Sequence, residues 1–117
     1  MKSGAILDLE LWPYPMWLHL YTDRARYRRA VNARIRNHVA PDVVKGVDGL
    51  CSAKASTIWV GVFDFDLGTL VHELTHAQEH ITEYLDLPRG WQNVEATCHL
   101  KAAVFRKCQA ALERQGK

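Results

Sequence analysis

A chain of 117 residues with 48% hydrophobic and 24% charged residues reads as one globular domain, residues 1–117, which buries about two-thirds of its unfolded surface and has no room for a second core. Disorder is excluded by these proportions, and no apolar run approaches the roughly 18 residues of a membrane helix, so no membrane partner is expected. The formal net charge of +2 hides a local excess, because Arg24, Arg26, Arg28, Arg29, Arg34 and Arg36 crowd one stretch that contains no acid and leave the rest of the chain net acidic.

At the start of the chain, Asp8 and Glu10 interrupt the place where an export signal would need its apolar centre. Trp12-Pro13-Tyr14-Pro15 then excludes a helix interior or a central strand, so residues 5–15 are expected to be an irregular or edge segment. Met16–Tyr21 alternates and is rich in strand formers; His19 within it reads as structural or surface. Thr22 or Asp23 offers a cap for a helix over residues 24–39, ending before Pro41. On a helical wheel its six arginines scatter around the circumference, which reads as a solvated surface; the other reading is a stripe for nucleic acid, an unlikely partner without a groove-reading motif.

Asp42–Lys54 is turn-rich, with Gly46 and Asp48-Gly49, and is expected to form a hairpin. Ser56–Phe63 is the strongest strand, with Ile58, Val60 and Val62 on one face and Trp59 and Phe63 on the other. Apolar residues on both faces predict cover on both sides, by a helix on one and by a ligand or substrate cleft on the other, and Gly61 would permit a close backbone approach. Asp66 caps a helix over residues 67–86 that stops at Leu87-Pro88-Arg89-Gly90, and Asn93 caps a last helix over 94–114. The polar end, Gln109–Lys117, is expected to fray or to lie in a cleft. Cys51, Cys98 and Cys108 cannot all pair and match no C-x-x-C metal spacing, which reads as reduced thiols of a cytoplasmic protein. The order strand, helix, two strands, helix, helix gives an α+β fold with about three strands.

The chemistry concentrates in His72-Glu73-Leu74-Thr75-His76. Residues four apart share a helix face, so His72 and His76 can bring two imidazole nitrogens to one metal ion. At about 100° per residue, His76 falls near 40° and Glu73 near 100° from His72, whereas Leu67, Leu70, Val71, Leu74, Ala77, Ile81 and Leu85 occupy roughly 140–260°. The helix should bury one face and offer the histidines on the other. A core histidine would sit among the leucines.

A catalytic zinc site takes three protein ligands and one water, so a third ligand is required. A metzincin site would need glycine at position 79 and histidine at position 82, where Glu79 and Thr82 stand. His80 shares the histidine face, but a straight helix has difficulty delivering ligands at i, i+4 and i+8 to one tetrahedral ion, so it reads as a cleft-wall or structural residue. Glu79 and Glu83 read as solvated or supporting groups. Glu95, in the first turn of the next helix, is the better candidate; the competing reading is that it only complements the helix dipole.

His72-Glu73-x-x-His76 followed nineteen residues later by Glu95 on a new helix resembles the gluzincins, and the short chain looks most like the minigluzincins. The resemblance implies a minimal zincin-like domain with a backing helix, an active-site helix and a C-terminal glutamate helix. It implies a substrate-binding strand at Thr57, Ile58, Trp59, Val60 and Gly61, and latency through a chain segment that occupies the cleft, as in a zymogen. Where larger gluzincins place an aspartate four residues after the glutamate ligand, this chain has His99.

The expected function is zinc-dependent endopeptidase action on peptides or unfolded proteins with one catalytic Zn2+. The ion, held by His72, His76 and Glu95, acidifies a water and polarises the scissile carbonyl, while Glu73 accepts the water proton and passes it to the leaving amine. His99, His80 and Tyr84 are open candidates for stabilising the oxyanion or supporting a ligand, and Tyr84 is also a candidate core residue. Two alternatives stand beside this reading: a catalytically silent metal- or peptide-binding pseudo-peptidase, and a nucleic-acid-associated regulator.

Overall fold

The computed structural model describes residues 4–87 and 90–116. Its elements are β1 (Leu7–Glu10), β2 (Trp17–Tyr21), α1 (Arg24–Arg34), α2 (Pro41–Lys45), β3 (Gly49–Lys54), β4 (Thr57–Val62), α3 (Leu67–Tyr84) and α4 (Trp91–Gln115). They form one mixed sheet in the order β1-β2-β4-β3, antiparallel at both ends and parallel between β2 and β4. The fold is α+β, with four strands where about three were expected. The added strand is β1, an edge whose pairing sets Leu7 and Leu9 against Leu20 and Leu18. Leu7-Asp8-Leu9-Glu10 alternates apolar and polar residues as a half-buried edge strand does, within the segment expected to be irregular or edge, and Trp12 and Pro13 lie in the loop that follows.

The sheet separates two cores. On one face Leu18, Leu20, Ile58, Val60 and Val62 pack with Leu70, Leu74, Ala77 and Ile81 of α3 and Val104 and Cys108 of α4. On the other, Tyr21, Trp59 and Phe63 pack with Tyr27 and Val31 of α1 and Val44 of α2. The alternation of β4 thus corresponds to two covered faces, but the second is closed by helices and not by a ligand cleft. Gly61 likewise leaves room for side chains: a carbon added there would lie 2.5 Å from Phe63 Cζ and 3.2 Å from Tyr27 Cδ2.

Helix α1 begins where expected, with Asp23 accepting from the Arg26 amide at 3.0 Å, but it ends at Arg34 and not at residue 39. Asn32 explains the early end: its side chain donates to Val39 O at 2.9 Å and accepts from Val39 N at 2.8 Å, which folds the chain back so that Val39 and Val44 reach the core. Two arginines hold this return. Arg24 donates to Val44 O and Val47 O at 3.0 and 3.1 Å and lies over the Phe63 ring, and Arg28 donates to Val39 O at 3.0 Å. These cations serve the fold, which removes them from any basic stripe.

Helix α3 spans Leu67–Tyr84, shorter than the expected 67–86, with Asp66 accepting from the Gly68 amide at 2.6 Å. Helix α4 starts at Trp91 with Gly90 as its cap, so Asn93 lies inside the helix and is not its N-cap. It continues through Gln115 and keeps most of the C-terminal segment ordered, while Pro88, Arg89 and Lys117 lie outside the described residues. No helix among the described residues is long and apolar enough to cross a membrane.

Candidate metal centre

The loop before α3 is organised by its own carboxylates. Asp64 accepts from the Asp66 amide at 3.1 Å and from Thr69 Oγ1 at 2.8 Å. The helix so started buries Leu70, Glu73, Leu74, Ala77 and Ile81 and leaves His72 and His76 exposed. The expected apolar face is therefore present, except that Val71 and Leu67 are exposed at 44% and 39%.

His72, Glu73 and His76 each offer one ligand atom, all within 4.8 Å of one another. The two imidazole rings stand 5.0 Å apart between centroids and nearly perpendicular at 77°, and His72 Nε2 lies 4.0 Å from Glu73 Oε2. Two imidazole nitrogens beside a carboxylate suit a divalent cation of intermediate softness. Unlike its neighbours, Glu73 is buried, at 6% exposure. Burial raises its pKa above the ordinary glutamate value, an effect the two histidines partly offset. The sequence pattern marks Glu73 as polar-face, and nothing in it signals this burial.

The cause of the burial is β3. Thr69, Glu73 and His80 form the ridge of α3 that meets this strand and the turn after it. A carbon added at Gly49 would lie 2.5 Å from Thr69 Cγ2, 2.8 Å from Gly61 O and 3.2 Å from Glu73 Cγ. Only glycine permits so close an approach. Gly49→Ala is expected to lower stability by about 1–3 kcal/mol in urea denaturation, as overpacking does. Gly46→Ala is the control expected to change little, since its added carbon would meet only Asp42 O at 3.4 Å.

Among the remaining expected site residues, His80 donates from Nε2 to Ala55 O at 2.8 Å and stacks on Tyr84 with centroids 5.8 Å apart. It ties the helix to the β3–β4 turn, in keeping with a structural or cleft-wall position. Tyr84 is 47% exposed and so does not face the core. Glu79 and Glu83 are both exposed.

Glu95 is not brought to the cluster. Its carboxylate lies 3.3 Å from His99 Nε2, one turn along its own helix, and both residues are exposed. Helix α4 turns Thr97, Val104, Cys108 and Leu112 inward, with Gln78 Nε2 donating to Thr97 Oγ1 at 3.2 Å. At about 100° per residue, Glu95 and His99 then lie roughly 160–200° round the helix from Thr97. The expectation that Glu95 closes the metal from the next helix is not met in this conformation, because packing has turned its side of α4 outward.

The expected substrate strand is also corrected. Thr57, Ile58, Trp59, Val60 and Gly61 lie in β4, which pairs with β2 on one side and β3 on the other and so has no backbone edge to offer. The edge beside α3 is β3. Phe63 N donates to Asp48 O at 2.8 Å, and hydrogen-bonded pairs alternate along an antiparallel ladder. Gly49, Cys51 and Ala53 accordingly aim their N–H and C=O groups away from β4, along an edge that no other strand covers among the described residues. Cys51 itself is half-buried, and burial together with the Glu73 carboxylate pushes its thiol up to about 12.

Comparison of the chain with protein-family models, with curated proteins and with solved structures finds no match in any of the three.

Proposed function

We propose that this chain is a zinc-dependent endopeptidase of gluzincin type, resembling the minigluzincins, with α1 as the backing helix and α3 as the active-site helix. The observation that carries the reading is the cluster on α3: two exposed imidazoles and one buried carboxylate within 4.8 Å, on a helix whose other face is core. His72 and His76 hold the ion. Bound there, zinc would supply a Lewis acid that polarises a scissile carbonyl and acidifies the attacking water.

The chain's own residues do the rest. Glu73 takes the proton of the attacking water and delivers it to the departing amine nitrogen, a role favoured by a partly desolvated carboxylate with a raised proton affinity. The open edge of β3 offers the Gly49, Cys51 and Ala53 backbone to an extended peptide, which would pair as an added strand and lie over the histidine ridge. Glu95 is the candidate third protein ligand. Residues 94–96 of α4 are thinly packed: Val94 is 50% exposed, and Glu95 and Ala96 are exposed. None of these three residues belongs to either core, so zinc recruits Glu95 from His99 by rewinding this stretch.

One observation favours a second reading, a pseudo-peptidase that binds metal or peptide without turnover: the outward position of Glu95. The test is incubation of a denatured protein substrate with the zinc-loaded chain. Cleavage that stops on chelation and returns with zinc is expected; stoichiometric zinc binding with no cleavage would leave the pseudo-peptidase.

A further inference from the structure

We propose that the groove between α3 and α4, on the far side of the histidine pair from β3, selects an acidic side chain of the peptide; this inference rests on the peptidase reading above. The groove is open, about 340 Å3 in volume, with Val71, Ala102 and Phe105 supplying apolar surface and Lys101 and Arg106 supplying charge. Val71 directly precedes His72. Lys101 Nζ donates to Thr75 Oγ1 at 2.8 Å, and Thr75 directly precedes His76. Thr75 is also three residues after His72, so the ammonium is held beside the turn that carries both imidazoles.

Neither cation has a carboxylate partner among the described residues. Along α4 no acid stands three or four residues from Lys101 or Arg106, the positions from which a helix ordinarily neutralises its own charges. Unneutralised cations beside exposed apolar surface match a ligand with an aliphatic stem and a terminal carboxylate, which is a glutamate side chain: its methylenes rest on Val71 and Phe105 and its carboxylate meets Lys101 and Arg106. An extended peptide paired with β3 crosses the histidines before its side chains reach this groove, so the bond presented to Glu73 lies beside the acidic residue.

The test measures binding without turnover. Zinc-loaded Glu73→Gln protein is titrated into labelled, amidated alanine-rich peptides that carry one central Glu, Gln or Lys, with a further peptide whose only carboxylate is its free C-terminus. The Glu peptide is expected to bind about tenfold tighter than the Gln peptide, with the preference lost in Lys101→Met/Arg106→Gln and transferred to the Lys peptide in Lys101→Glu/Arg106→Glu. Equal affinity for Glu and Gln peptides, a preference that survives the neutral double substitution, or tight binding of the free-terminus peptide alone would each overturn the inference. If Lys101 variants lose their thermal transition, Arg106→Gln and Arg106→Glu carry the same comparison from an exposed position. Absence of cleavage by the parent zinc protein overturns the peptidase reading instead, since the binding preference is read independently of hydrolysis.

Discussion

Glu73→Gln is expected to keep one zinc ion per chain and to lose peptide hydrolysis by about 10²–10⁴-fold, the usual contribution of a positioned general base. Glutamine preserves the shape of the side chain beneath Gly49 and leaves both imidazoles in place, so metal content separates loss of the base from loss of the site. Parent-rate cleavage by this variant would remove Glu73 from the mechanism.

The same substitution has an opposite effect on stability once zinc is chelated. Because burial raises the folded-state pKa of Glu73 above 4.5, ionisation favours the unfolded chain. Below the ordinary glutamate range both states hold the proton and there is no penalty; as pH rises through that range toward the raised folded value, the unfolded state ionises first and stability falls. Chelated Glu73→Gln should therefore melt higher than the chelated parent at neutral pH, and the two melting temperatures should converge as pH drops below the ordinary glutamate value. A difference independent of pH would assign the effect to packing.

Glu95→Ala is expected to weaken zinc binding by on the order of 100-fold or more, beyond the ~10–100-fold that supporting groups around a ligand typically cost. His99→Ala should leave zinc affinity within about threefold or improve it slightly, because it releases Glu95 from its exposed partner. Competition titration against a chromogenic chelator measures both. Unchanged affinity in Glu95→Ala would mean that α4 does not rewind and that the histidines hold the ion without it.

Much of the local structure was legible because its causes are local. Asp23 and Asp66 cap helices by accepting from amides two or three residues ahead, a bond that needs no tertiary partner. The alternation of β4 and the wheel of α3 declare their buried faces from residue order alone, and with them the exposure of His72 and His76 on one side of one helix. The short strand β1 was legible only as an irregular or edge segment. Its four residues are held by pairing with β2, a contact whose partner lies beyond the Trp12–Pro15 turn.

From the sequence alone came the helix, its buried face, the two exposed imidazoles and Glu73 next to them, because an α-helix fixes the relative directions of residues three and four apart. Only the tertiary structure decided that β3 and not β4 is the strand edge beside the site, that Glu73 is buried under Gly49, and that Glu95 points away toward His99. Strand order depends on pairing between distant segments, and the rotation of α4 about its own axis depends on which of its residues pack against α3. Neither quantity is encoded in the spacing of residues along a single element.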